Sequence, residues 1–249
     1  MDLQGKIALV TGGSGDLGAA IAEALARAGV SVAVSYVGER ERAEQTVKAV
    51  QALGSQAWAV QLDQTDASMA ETVVAATVEH FGRLDILINN AGWNIGIPFP
   101  DLDALTPEIW DRMYATNVRG PYLLARAAAR PMRAQKSGRI INIASVAGLQ
   151  PGGSSLAYAT SKAALIHLTR CLAVALAPDV LVNCVAPGLI EGTRMAQRVP
   201  PAMVESVRRM ALLGRSATTE DLAAQVVAFC RSESVTGQVL AIDGGLFPH

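Results

Sequence analysis

Tyr158 and Lys162 stand four residues apart, a spacing that puts a phenol and an ammonium on one face if the segment is helical. A cation beside a phenol favours its ionised form, so such a pair suits proton transfer to and from a substrate oxygen. Taken alone, it reads better as two surface side chains. Ser145 lies thirteen residues before the tyrosine, just past an apolar run, and alone is an ordinary loop serine. Asn117, in Ala115-Thr116-Asn117-Val118, reads by itself as a polar residue inside a helix. The run Thr11-Gly12-Gly13-Ser14-Gly15-Asp16-Leu17-Gly18 is different in kind. Its glycines let the backbone turn tightly and approach a pyrophosphate, whose charge a following helix N-terminus stabilises. In isolation a bare turn is as good a reading, but its place between a strand-like and a helix-like run favours binding. Asn89-Asn90-Ala91-Gly92 reads equally well as a turn closing an apolar run.

These residues need elements to hold them. Short β-branched runs alternate along the chain with longer alanine-rich helical patterns. Residues 6–10, 30–35, 57–62, 86–89, 140–143, 180–185 and 239–242 are the seven expected strands. Between them lie a helix carrying Ile21, Leu25 and Ala28 on one face and stopped at Gly29, then 39–53, ended by Gly54. Further helical patterns cover 67–81, 106–135, 156–177 and 218–231. Ile86-Leu87-Ile88 is apolar on both faces, which marks a parallel strand covered by helices on each side. A single doubly wound α/β domain of Rossmann type over 1–249, with a seven-stranded parallel sheet, is therefore expected. Ligands of such sheets sit at the carboxyl ends of the strands, where the glycine run, Asn89 to Gly92 and Ser145 all fall.

Composition removes several other classes. Hydrophobic residues make up 51% of the 249 and charged residues 17%, enough apolar material for a large core. With 21 Lys plus Arg against 22 Asp plus Glu, there is no electrostatic footprint for nucleic acid or an anionic membrane. No 18-residue apolar stretch is evident, and Met1 to Gly5 lack the basic and apolar regions of a secretion signal; a cytoplasmic location is expected. Cys171, Cys184 and Cys230 each sit in an apolar stretch and read as reduced core residues. His80, His167 and His249 show no metal-ligand spacing, so no metal is expected, and His167 is expected to pack. The nucleophile elbow of serine hydrolases and the lysine-bearing phosphate loop are both missing.

Taken in order, the pieces resemble the short-chain dehydrogenase/reductase family from about Gly5 to Gly245. Its glycine motif matches at Thr11, Gly12 and Gly18, its adenine-side acid at Asp63, and its Asn-Asn-Ala-Gly stretch at 89–92. Its catalytic asparagine, serine, tyrosine and lysine fall on Asn117, Ser145, Tyr158 and Lys162. Pro187-Gly188 and the segment Thr236 to Gly245 match its later motifs. Two departures stand out: Asp16 replaces the middle glycine, and Gly15 stands where NADP-preferring relatives often carry a base.

The resemblance implies an oxidoreductase interconverting a ketone and a secondary alcohol with a nicotinamide cofactor. Tyr158 would be the acid in reduction and the base in oxidation, its phenolate favoured by Lys162, which also holds the ribose hydroxyls. Ser145 would donate to the carbonyl oxygen, and Asn117 would help hold a water. Cofactor contacts are implied at Gly12, Ser14, Gly15, Asp16, Leu17, Ser35, Tyr36, Asp63, Gln64, Asn90, Ala91, Gly92, Tyr158, Lys162, Pro187, Gly188 and Ile190. The strand-end acid of NAD-specific relatives is replaced by Tyr36; Ser35 could donate to a 2′-phosphate, and Arg40 or Arg42 could reach it. Glu39 could act as a substitute acid, so NADP(H) is the expected preference and NAD(H) the alternative.

Trp93, Ile97 and Leu189, with Phe99 and a lid over 189–199, are expected to line a site for an apolar ketone, although the same residues could simply pack against the core. The nearest branch looks like the 3-oxoacyl-acyl-carrier-protein reductases, for which Arg126, Arg130 and Arg133 would be the docking patch. The resemblance also leaves room for a sugar or polyol dehydrogenase, and for a nucleotide-binding sensor without catalysis. Family relatives further imply a homotetramer built through the helices near 106–135 and 156–177 and the strand over 238–245.

Overall fold

Each of the seven β-branched runs becomes a strand: β1 (Ile7–Val10), β2 (Ser31–Tyr36), β3 (Ala57–Gln61), β4 (Ile86–Asn89), β5 (Gly138–Ile143), β6 (Val180–Pro187) and β7 (Val239–Ile242). The computed structural model describes residues 1–247, the side chain of Arg198 excepted, so His249 lies outside the described residues. The strands form one sheet in the order β3-β2-β1-β4-β5-β6-β7, every neighbouring pair parallel. Both faces are covered, which explains why the runs do not alternate. Ala8, Val10, Ile86 and Ile88 pack with Ile21, Val47 and Leu222, while Leu9 and Leu87 between them pack with Val73, Leu124 and Leu172. The helices bearing those residues are α1 (Asp16–Arg27), α2 (Arg40–Ala52) and α8 (Thr219–Arg231) on the first face. On the second they are α3 (Ala67–Phe81), α5 (Gly120–Ala134) and α6 (Leu156–Leu176). After β3 the chain crosses to the far side of β1, so the chain leaves β1 and β4 toward opposite faces of the sheet and a crevice opens beyond their carboxyl ends.

The expected helix over 106–135 is broken. It consists of α4 (Pro107–Tyr114), a wide π turn (Ala115–Arg119) and α5. Pro121 is the cause nearest at hand: an α-helix would close the Asn117 carbonyl with the N–H of residue 121, and proline has none. The Gly120 N–H instead reaches back five residues to the Ala115 carbonyl. Gly120 is also pressed on Gln64, where a Cβ would come within 2.8 Å of the glutamine side chain.

Two further expectations are corrected. Cys184 and Cys230 are buried, but Cys171 is exposed, and so is His167 one turn earlier. The inward stripe of α6 runs through Leu165, Ile166, Thr169, Leu172, Ala173 and Leu176, so both residues point outward on the 3.6-residue period. α6 is long and apolar enough by composition to cross a membrane, but it carries Lys162 and Arg170 and half of it is buried inside the protein, as in the core helix of a folded domain. Finally, the chain forms a helix after the lid that the expected elements leave out: α7 (Pro201–Met210) opens on a proline at its first turn and buries none of its residues.

Candidate active site

The glycine run leaves β1 at Val10 and enters α1 at Asp16. Gly12 adopts φ +63°, and a Cβ on Gly18 would sit 2.3 Å from the Gly12 carbonyl oxygen, so both positions need glycine. The loop is stapled to the β4 end. Thr11 Oγ1 accepts from the N–H groups of Asn90 and Ala91, each at 2.9 Å, and Asn90 Nδ2 donates to the Thr11 and Gly12 carbonyls. Gly15 caps α1 without any side-chain bond, leaving the first N–H groups of the helix open to a ligand.

Around this loop several expected contacts take other forms. Ser35 is buried beneath it, its hydroxyl accepting from the Gly12 N–H at 3.2 Å, and so supports the loop rather than facing a 2′-phosphate. Gln64 turns inward and donates to the Ala91 and Thr116 carbonyls, tying the Asn90–Gly92 turn to the π turn. Asp63 accepts from Thr65. Asp16 receives Arg42 Nη2 at 3.0 Å and the Arg194 N–H at 2.7 Å. Burial acts to raise the Asp16 pKa, but these bonds and charges outweigh it and hold the carboxyl below its usual range. Glu39, hydrogen-bonded by Arg194, is likewise held low. Arg40 faces Glu44 instead.

The four polar residues converge across the crevice. Ser145 ends β5 and caps a short 3-10 turn, accepting from the Ala147 N–H at 3.2 Å. Ser155 caps α6 by accepting from the Tyr158 N–H, which sets the tyrosine in the first turn facing Ser145. One turn on, Lys162 is buried, with Nζ donating to the Ile143 carbonyl at 2.9 Å and 5.7 Å from the centre of the Tyr158 ring. Asn117 reaches the same place from the π turn: a Cβ on Gly92 would lie 3.3 Å from its Oδ1 and 3.5 Å from Lys162 Nζ. Its amide is committed to Trp93 and Ser161, so the expected water-holding role does not rest on that side chain.

Burial dominates the electrostatics here. It raises the Tyr158 phenol, against a hydrogen bond with Ser145, and lowers the Lys162 ammonium to about 8. In the protein alone burial outweighs the Ser145 bond, so the phenol stands above its ordinary value.

Trp93 is half-buried, with the Arg112 guanidinium 4.3 Å over its ring. Leu189 is half-buried as well, whereas Ile97 is buried and bonded through its N–H to the Ser154 carbonyl, which fits packing better than substrate contact. Beyond Pro187, the Gly188 N–H donates to the Ile242 carbonyl and Ile190 bridges to Ala217, seating the start of the lid. Reasoning from the sequence misses Ser161, Arg112 and Arg194. Ser161 carries a signal in its place beside Lys162; Arg194 meets partners 178 residues away and carries none.

A family model described as short chain dehydrogenase matches residues 6–203. A relative from Streptomyces violaceoruber, named as a ketoacyl reductase of the granaticin polyketide synthase, is 39% identical over 244 residues, covering 97% of this chain and 96% of its own. Among solved structures, an NADPH-dependent 3-quinuclidinone reductase from Rhodotorula rubra superposes with a TM-score of 0.90 at 31% identity, over 98% of this chain and 92% of that one. An NAD⁺-bound xylitol dehydrogenase superposes with a TM-score of 0.93 at 29% identity, over 98% of this chain and 100% of that one. With that agreement along almost its whole length, the chain belongs to the short-chain dehydrogenase family and is an oxidoreductase working between ketones and alcohols.

Proposed function

We propose that the protein reduces an apolar ketone to a secondary alcohol with NADP(H), using Tyr158 as the proton donor. The observation carrying this reading is the convergence of Ser145, Tyr158 and buried Lys162 at the crevice beside β4 and β5, with Lys162 Nζ bound to the Ile143 carbonyl. The residues present fit a dinucleotide. Gly12 and Gly18 let the loop close tightly on itself and on the β4 end, and Gly15 leaves the first N–H groups of α1 without a side-chain cap, as a pyrophosphate turn requires. When bound, the nicotinamide supplies the hydride.

The rest falls to side chains of this chain. Ser145 and Tyr158 hydroxyls hold the carbonyl oxygen, and the phenol gives up its proton as negative charge develops there. A phenol raised by burial stays protonated at neutral pH, which suits the acid role. Lys162 stabilises the phenolate left behind, and Asn117 acts as a positioning residue that holds the Gly92–Trp93 turn open beside them.

Cofactor preference rests on the absence of an acid at Tyr36 and on two guanidinium groups, Arg42 and Arg194, at the rim of the loop. Substrate class rests on Trp93, Leu189 and the exposed Met195. Arg126 is paired with Glu71 and Arg133 with the Ala175 carbonyl, which weakens the case for an acyl-carrier-protein dock there. Exposed Tyr122 and Val174 on α5 and α6, with Leu240 on β7, support a homotetramer, and a stable monomer in light scattering at micromolar concentration would reject it. The deciding experiment follows nicotinamide absorbance with both cofactors across aryl ketones, β-keto esters and polyols. Reduction of the apolar ketones, fastest with NADPH, is expected. Free polyols oxidised better than any hydrophobic alcohol would overturn the substrate class, and a clear preference for NADH the cofactor assignment.

A further inference from the structure

Arg194 lies on the segment between β6 and α7, yet every bond it makes outward lands on the dinucleotide loop or the end of β2. Its backbone N–H donates to Asp16 Oδ2 at 2.7 Å, and Nη1 donates to Glu39 Oε1 at 2.9 Å and Oε2 at 3.3 Å. Nη2 reaches the Ser14 carbonyl at 3.5 Å. Arg42, arriving from α2, shares the same partners: Nε donates to the Ser14 carbonyl at 3.0 Å and Nη2 to Asp16 Oδ1 at 3.0 Å, with Nε 3.7 Å from Glu39. Two guanidinium groups and two carboxylates thus ring the Ser14 carbonyl, beside the end of β2. One group is left over: Arg194 Nε is buried and has no hydrogen-bond partner among the described residues, lying 3.6 Å from Asp16 Oδ1. That nitrogen faces the Asp16 carboxylate as an ion pair, so Arg194 sets its charge against Asp16 as well as Glu39.

Glu39 alone at this place would act against a 2′-phosphate, by charge repulsion and by accepting from ribose hydroxyls. Other nearby positions that might have supplied a counter-charge or a donor do not hydrogen-bond Glu39: Arg42 lies 3.7 Å from it and gives its bonds to Ser14 and Asp16. Gly15 brings none, Arg40 faces Glu44, and Ser35 is buried under the loop. Arg194 does, and its bond to both Glu39 oxygens offsets the carboxylate charge while its fork stays at the rim. We infer that Arg194, carried on the lid, sets the preference of this site for a 2′-phosphorylated dinucleotide by neutralising Glu39, and with it Asp16, at the rim. The inference rests on the reading of the 11–18 loop as a dinucleotide cradle.

The test measures dissociation constants of NADPH and NADH by tryptophan quenching or calorimetry, in the absence of substrate, for wild type, Arg194→Ala, Arg194→Lys and Glu39→Gln. Arg194→Ala should weaken NADPH by about tenfold to a hundredfold and NADH by less than about threefold, since Glu39 is then left uncompensated to repel the phosphate. Arg194→Lys, which keeps the charge but loses the fork, should fall between. Glu39→Gln should tighten NADPH and leave NADH the same or weaker. Circular dichroism checks folding, and if Arg194→Ala does not fold, the Lys variant decides by the same ratio. An unchanged NADPH-to-NADH ratio, or equal weakening of both, overturns the role of Arg194. A wild type that binds NADH more tightly sinks the NADP(H) reading of function instead, and the ratio between wild type and variant still judges Arg194.

Discussion

Asn117 grips the backbone of Trp93 with both ends of its amide: Oδ1 accepts from the Trp93 N–H at 2.8 Å, and Nδ2 donates to the Trp93 carbonyl at 2.9 Å. The amide behaves as one more strand partner for a peptide that has just left β4. Nδ2 also reaches Ser161 Oγ at 3.1 Å, and that hydroxyl donates to the Tyr158 carbonyl at 2.8 Å. A continuous polar line therefore runs from the turn after Gly92 to the helix bearing the tyrosine.

Asn117→Ala should cost about 2–3 kcal/mol, because it leaves both the N–H and the carbonyl of half-buried Trp93 unpaired at once. Asn117→Asp keeps the acceptor for the N–H but sets an oxygen against the Trp93 carbonyl, so it should not rescue. Urea denaturation of both variants, with turnover measured alongside, checks this. Stability within about 0.5 kcal/mol of wild type for both would show that the grip does not hold the turn.

Tyr158→Phe removes one hydroxyl and no packing, so the fold should survive. Turnover in ketone reduction should fall by roughly 10²–10⁴-fold or more, while the dissociation constant for NADPH stays within about threefold. Steady-state rates and a binding titration separate the two effects. A Phe variant reducing ketones at near wild-type speed would remove Tyr158 from the proton path.

How far the sequence can be read depends on the range of the interactions. All seven strands and the Ser145–Tyr158–Lys162 spacing are local patterns, and they stand at or near their expected places. The π turn at Asn117 escapes the pattern although Pro121 carries the missing donor within four residues; the apolar period runs straight through it. α7 has signals too, in Pro200-Pro201 and in Met203, Val207 and Met210 at helical spacing, but none of its residues is buried against the core. The exposure of Cys171 and His167 follows from helix phase, which depends on where α6 docks rather than on its apolar content. Ser35 under the loop and Arg194 on Asp16 are matters of tertiary contact alone.

Gly18 and Gly15 should respond very differently to the same added methyl. A Cβ at Gly18 would stand 2.3 Å from the Gly12 carbonyl oxygen and 2.8 Å from Asn90 Nδ2, so backbone must move. At Gly15 the nearest atom, again the Gly12 oxygen, would lie 3.2 Å away, and its φ of −87° suits any residue. Gly18→Ala should therefore destabilise the protein by about 1–3 kcal/mol and abolish measurable dinucleotide binding, whereas Gly15→Ala should stay close to wild type in both. Thermal denaturation and a binding titration on the pair decide it, and equal effects of the two substitutions would count against the packing described for the loop.

Lys162 links the site to stability through pH. Burial lowers its pKa from an ordinary 10.5 to about 8 in the folded protein. Below about pH 8 both states carry the charge, and the folded state bears the full cost of burying it. Between about 8 and 10.5 the unfolded chain holds more protons than the folded one, so this group makes stability rise with pH. Lys162→Met fills similar space without the charge, at the expense of the bond to the Ile143 carbonyl, which contributes a pH-independent offset. The stability of the Met variant relative to wild type should thus be highest near neutral pH. It should shrink by up to about 3 kcal/mol as pH rises through that window, most of it above pH 8. Urea midpoints for both proteins at pH 6.5, 8 and 9.5 measure the difference, in which other titrating groups cancel. Parallel pH profiles would mean that the Lys162 ammonium is not desolvated as its burial between β5 and α6 requires.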